Sequence, residues 1–217
     1  MLSRVLRPFA LAAVLVLPAL TALTPATASA DAGAKGFVEN THAKFNALMN
    51  QPASAARETQ ITAQMDAAID YDVLARRTFG DPCPTGVKSC TNHWKDLSDA
   101  QKAESRDLLK KIVQKNYRKN LTKTLNFTVS FENATDSNGD SRVRTLAKSK
   151  TDVREAPVTI DYIVAGAGGS YHIVDIITET SSLAKNYYTQ FHKMLITDGQ
   201  GYPYVVRKLN EKLAKKD

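Results

Sequence analysis

The sequence predicts an α+β protein in which helices pack on an antiparallel sheet of about four strands. Three observations carry that prediction. Helical periodicity flanks a central block on both sides, strand-like alternation fills the block, and the links between its strands are too short for parallel crossovers.

Phe37, Thr41, Phe45, Leu48 and Met49 recur at helical spacing and mark the first helix. A second runs from Ser54 to about Ile69, with Ile61, Met65 and Ile69 on one face, and a short third covers Tyr71 to Phe79 and stops at Gly80. The longest helix opens on a capping box made by Ser98 and Gln101, with Leu97 as the apolar residue just before the cap. From there Leu108, Leu109, Ile112, Val113, Tyr117 and Leu121 trace a stripe, while Lys110, Lys111, Lys115, Arg118 and Lys119 fill the other side. A stripe of that kind has to be hidden against another element.

Strands follow. Leu125–Phe131 alternates, with Phe127, Val129 and Phe131 on one side and Thr128 and Ser130 on the other. The turn cluster Asp136-Ser-Asn-Gly-Asp140 leads into a strand over Ser141–Ser149, Val158–Val164 alternates again, and Gly166-Ala-Gly-Gly169 turns the chain back into Tyr171–Thr178. The last strand is apolar at both parities, so both of its faces are expected to be covered. Two helices close the chain. One spans Ser182 to about Thr197, with Leu183, Tyr187, Phe191 and Leu195 in steps of four, and the other carries Val205, Val206, Leu209 and Leu213.

The first thirty residues read as a cleavable export signal. Arg4 and Arg7 precede an uncharged apolar run from Phe9 to Leu23, and Ala28-Ser29-Ala30 supplies the small residues of a cleavage site after Ala30. The run is interrupted by Pro18 and falls short of the ~20 residues needed to span a bilayer. Residues 31–217 are then expected to form one domain in the periplasm. Losing Arg4 and Arg7 leaves 27 basic against 22 acidic side chains, spread without a dense basic block or interleaved aromatics. That argues against nucleic-acid binding and leaves anionic lipid head groups as a possible attraction. Cys83 and Cys90 are the only cysteines, and an even count in an exported chain points to a disulfide worth about 2–3 kcal/mol.

Catalytic signatures are missing from the chain. It contains no P-loop, HExxH, GxSxG or strand-linked GxGxxG. His42, His93, His172 and His192 are scattered without metal-ligand spacing, so neither a metal site nor a cofactor is expected. His172 and Asp175 would face opposite sides of their strand unless a bulge intervened. Asp161 and Asp175, beside apolar neighbours, are expected to be paired polar groups at strand edges or caps and not general bases. No catalytic residue is assigned.

One family resemblance runs through the chain in order. It begins at Ile69-Asp-Tyr-Asp-Val-Leu-Ala-Arg-Arg-Thr-Phe-Gly80, continues through Trp94 and the helix with Leu109, Val113 and Tyr117, and takes in Phe127–Phe131, Val143–Thr145 and Val158–Tyr162. It is most specific over Tyr171–Phe191, where Asp175, Glu179, Ser182, Leu183, Asn186, Tyr187, Gln190 and Phe191 fit, and Gly199 matches the ending. On these residues the chain resembles MlaC, the periplasmic phospholipid-binding component of the Mla lipid transport system, also called the toluene-tolerance auxiliary family. It departs from the family pattern at Tyr171 for Trp, Thr180 for Gly, Ser181 for Val and Tyr188 for Arg, and the cysteine loop between Gly80 and Trp94 resembles an insertion.

The resemblance implies a nuclear-transport-factor-like cone, with helices over a curved sheet enclosing an apolar cavity for acyl tails. It implies phospholipid as cargo. It further implies docking to an inner-membrane ABC transporter complex with its substrate-binding subunit and to an outer-membrane lipoprotein and porin complex. A hopanoid carrier, or an isomerase or hydrolase in a cone-shaped cavity, would use the same architecture. The side chains placed to meet lipid are Phe127, Val129, Phe131, Ile160, Tyr162, Val164, Val174 and Ile176 on the strands and Leu109, Val113, Tyr117, Leu183, Tyr187 and Phe191 on the helices. Taken singly, each of these positions is better read as ordinary core packing, and the cavity is what the resemblance implies for the set. A carrier needs no catalytic group: moving ~30 methylenes of a diacyl lipid into water costs on the order of 25 kcal/mol, and an apolar hollow removes that cost.

Overall fold

Local signals set most element ends. Ser54 accepts from Arg57 N at 3.1 Å and starts helix α2 (Ala55–Ala68), and Asp70 accepts from Val73 N at 2.8 Å and starts α3 (Tyr71–Thr78). The Ser98–Gln101 box is formed reciprocally, Ser98 N donating to Gln101 Oε1 at 2.9 Å and Gln101 N to Ser98 Oγ at 3.3 Å, and it opens α4 (Asp99–Thr124). Helix α1 spans Ala32–Met49, α5 Leu183–Ile196 and α6 Gly201–Ala214. The structure, a computed structural model, describes residues 32–152 and 154–215. The export segment, its cleavage point after Ala30 and the side chain of Leu121 lie outside the described residues.

The strands are β1 (Phe127–Phe131), β2 (Thr135–Ser137), β3 (Asp140–Ser149), β4 (Val158–Ala165), β5 (His172–Thr178) and β6 (Ser181–Ser182). They form one antiparallel sheet in the order β1-β3-β4-β5-β6, with β2 paired to β3 beyond the end of β1. The architecture is therefore α+β, six helices on an open curved sheet among the described residues. Two of its strands, β2 and β6, are short additions to the four expected. β2 forms because the Asn138-Gly139 turn, with φ of 55° and 89°, folds Ser137 back against Asp140.

Register puts whole rows of side chains on the concave face. Val129, Ala147 and Val158 stand opposite one another, as do Phe131, Thr145, Ile160 and Thr178, and then Val143, Tyr162 and Ile176. A bulge interrupts the last pairing: Ile163 faces Asp175 and Val164 faces Ile173, so Val174 is the extra residue. The bulge moves Ile173 onto the concave face and takes Val174 off it. Val174 is fully buried, as expected of a strand covered on both sides.

On the convex face Asp161 is 1 % exposed and is held by Arg142 Nε at 2.7 Å and Arg144 Nε at 3.0 Å. Asp175 caps α5, accepting from Ser182 Oγ at 2.6 Å and Ala184 N at 3.0 Å. Burial raises its pKa, and the Ser182, Ala184 and Ile176 hydrogen bonds oppose that rise. Both aspartates are thus paired structural groups. His172 is exposed while Asp175 is buried, so the bulge does not make them a dyad.

Candidate functional site

Between the concave face and the helices lies a cavity of about 510 Å³, within the range of small-molecule sites. Its sheet wall is Phe127 and Val129 from β1, Thr145 and Ala147 from β3, Val158, Ile160 and Tyr162 from β4, and Ile176 and Thr178 from β5. Helix α1 supplies His42, Phe45 and Asn46, α4 supplies Val113, Asn116 and Tyr117, and the start of α5 supplies Leu183 and Asn186, next to Ser181. None of these residues carries a formal charge. Asn116, Thr178, Ser181 and Asn186 are exposed and mark the mouth.

Eight of the fourteen positions placed at lipid by sequence line this cavity: Val113, Tyr117, Phe127, Val129, Ile160, Tyr162, Ile176 and Leu183. The other six lie elsewhere. Leu109, Tyr187 and Phe191 belong to a filled helical cluster with Phe79, because their turns of α4 and α5 face α3 and α6. Val164 and Phe131 pack beneath α1 with Ala34, Val38 and Tyr171, where the helix closes onto the sheet. Val174 leaves the row because of the bulge.

Sequence reasoning missed His42, Asn46 and Asn116. Their polar side chains interrupt apolar stripes, and only the curvature of the assembled wall brings them to the hollow. His42 stacks edge-on against Phe131, with ring centroids 5.5 Å apart, and Asn46 Nδ2 lies 3.1 Å from its Nδ1. Burial lowers the His42 pKa. Burial and the neighbouring Tyr162 raise Tyr117 well above an ordinary phenol, and burial pushes Tyr162 up to about 12. The cavity wall is apolar in the main yet holds three polar rings, a feature that a lining of hydrocarbon alone does not have.

The cysteine loop is closed by the Cys83–Cys90 disulfide. Its far end is docked on α5: Thr91 N donates to Tyr188 Oη at 2.8 Å, and His93 Nε2 lies 2.8 Å from His192 Nδ1. Two of the four histidines, scattered in sequence, are therefore paired in space. Tyr188, at the family's Arg position, is 2 % exposed and uses its hydroxyl to hold this loop. At the position where the family's Gly is replaced by Thr180, the β5–β6 turn is made instead by Glu179 at φ 57°. Tyr171, in place of the family's Trp, packs its ring against the backbone of Gly33, where a Cβ would lie 2.3 Å from Tyr171 Oη.

A concave sheet roofed by helices over an uncharged, open cavity defines a binding protein for an apolar small molecule. The family model described as MlaC protein matches residues 38–211, and the chain belongs to that family. Its fold is similar to that of a phospholipid-binding protein from Ralstonia solanacearum solved in complex with a phospholipid: the TM-score is 0.67 at 18% identity, over 83% of this chain and 97% of that one. No curated protein matches the chain by sequence.

Proposed function

We propose that this protein is a soluble periplasmic lipid carrier, exported with cleavage after Ala30. It shields phospholipid acyl chains and shuttles them between an outer-membrane lipoprotein and porin complex and an inner-membrane ABC transporter with its substrate-binding subunit. The observation that carries the reading is the cavity of about 510 Å³ with no charged side chain in its wall among the described residues and a mouth of neutral polar groups. An acyl chain transferred into it loses contact with water at ~0.8 kcal/mol per methylene, with no ion left unpaired. Family membership and the phospholipid in the related structure support the choice of cargo. The disulfide accords with an oxidising compartment.

The protein acts by binding and not by turning substrate over. Among the described residues His42 is the one side chain in the wall able to act as a base near neutral pH, and no carboxylate or second imidazole lines the cavity to work with it. Native mass spectrometry before and after organic extraction tests the proposal. The folded protein is expected to carry the mass of a phospholipid that extraction removes. Repeated preparations from a lipid-rich periplasm that carry nothing would overturn the reading.

A further inference from the structure

One part of the cavity wall carries hydrogen-bonding groups that hydrocarbon does not need. His42, Phe45, Tyr117, Tyr162 and Ile176 line both the main cavity and a separate void of about 30 Å³ behind it, so they form the partition between the two. Two of the five are phenols and one is an imidazole, and they come from three different elements, β4, α4 and α1. Neither the Tyr117 nor the Tyr162 hydroxyl has a hydrogen-bond partner among the described residues. Burial keeps both phenols protonated, so each presents an O–H at any physiological pH. His42 is tied on one side only. With Asn46 donating to its Nδ1, the proton of the neutral ring sits on Nε2, which becomes a third donor.

The three groups line the open cavity, and once lipid displaces water from it a donor left with no acceptor costs on the order of 1–3 kcal/mol. Three together, at the inner partition of a chamber otherwise suited to hydrocarbon, call for an acceptor that the protein does not supply. We infer that Tyr117, Tyr162 and His42 bind an oxygen acceptor carried on the lipid chain itself, at the inner end of the cavity. The inference rests on the lipid-binding reading and adds a chemical preference to it: cargo whose buried end bears a hydroxyl or carbonyl oxygen. Two sources share that chemistry. One is an acyl chain oxygenated towards its far end, with its head group left at the mouth; the other is a free fatty acid entering carboxyl first.

The test is displacement of a fluorescent apolar probe from the delipidated mature chain. The competitors are lysophosphatidylcholines of graded chain length, each plain or ω-hydroxylated, and the matching free fatty acids. Against a wall of hydrocarbon a terminal hydroxyl weakens binding by about tenfold or more at every length. Wild type is expected to bind the best-fitting hydroxylated chain within about threefold of the plain one. The double variant Tyr117→Phe/Tyr162→Phe, which keeps ring shape, should restore a gap of about tenfold between the hydroxylated and the plain chain, both measured on the variant itself. A loss of about tenfold in fatty-acid affinity in the same variant would identify the carboxyl-first source. If wild type rejects every hydroxylated chain as strongly as the variant does, and fatty acids bind both alike, the donors hold only water and the inference is overturned. Should the plain lysolipids themselves fail to displace the probe, the carrier reading falls first, and that outcome is plainly different.

Discussion

The two halves of α4 face different interiors. Leu108, Leu109 and Ile112 enter a filled cluster whose Phe79 and Phe191 rings stand 4.9 Å apart, while Val113 and Tyr117 look onto a hollow. Helix α5 does the same in reverse: its first turn, with Leu183 and Asn186, borders the cavity, and Tyr187 and Phe191 join the solid end. An apolar stripe fixes that a helix face is buried. It does not fix whether the space it faces is filled. The difference lies in what comes from the other side. Large aromatic rings from Phe79, just past the end of α3, and from α5 close the solid end, whereas the curved sheet opposes α4 with the short side chains Thr145, Ala147 and Val158.

That contrast has measurable consequences. In the solid end, Phe191→Ala is expected to lower unfolding free energy by about 3–5 kcal/mol in denaturant titrations, since it removes a fully buried ring from a close-packed cluster. Lipid carried per folded molecule should stay the same; a selective loss of lipid would place Phe191 functionally in the cavity wall. Removing the loop staple with Cys83→Ser/Cys90→Ser should cost about 2–3 kcal/mol, again without loss of binding, because the loop grips the outer turns of α5 through Tyr188 and His192.

On the hollow side, Val113→Ala should cost only about 1.6 kcal/mol, the transfer term for the two carbons removed, because one side of Val113 borders space that is already empty and little further cavity is created. A penalty as large as that of Phe191→Ala would mean the cavity is packed in solution. The smallest effect concerns pH. Burial depresses the His42 pKa, so below the free value of about 6.5 the unfolded chain binds a proton that the folded chain refuses. Stability is therefore full above that value and declines as pH falls through it towards the lower folded pKa. Urea unfolding of wild type and His42→Gln across this window should show a shallower decline in the variant. His93, also depressed, is present in both proteins and cancels in the difference.

Much of the fold was legible because its signals are local. The Ser98–Gln101 box, the helix stop at Gly80 and the alternation of β1 and β4 each depend on neighbours within a few positions. The site was legible only in part, since cavity residues are chosen by tertiary geometry. Sequence parity assigned Val174 to the row of Ile176, and one bulged residue undid that assignment. Period-four spacing joined Leu183, Tyr187 and Phe191 into one stripe, yet that stripe crosses from the hollow to the filled end within two turns. His42 and Asn46 gave no apolar signal at all. The His93–His192 contact spans 99 positions, and no spacing rule reaches so far.

Lipid phosphorus per mole of folded protein, compared between wild type and Ile160→Trp, tests the central claim most directly. Ile160 lies in the cavity wall, and an indole there would project into vacant volume without displacing packed neighbours. The expected result is stoichiometric phospholipid on wild type, almost none on the variant, and matching thermal unfolding of the delipidated proteins. Equal lipid on both, or a variant that no longer folds because no room exists at that position, would contradict the claim.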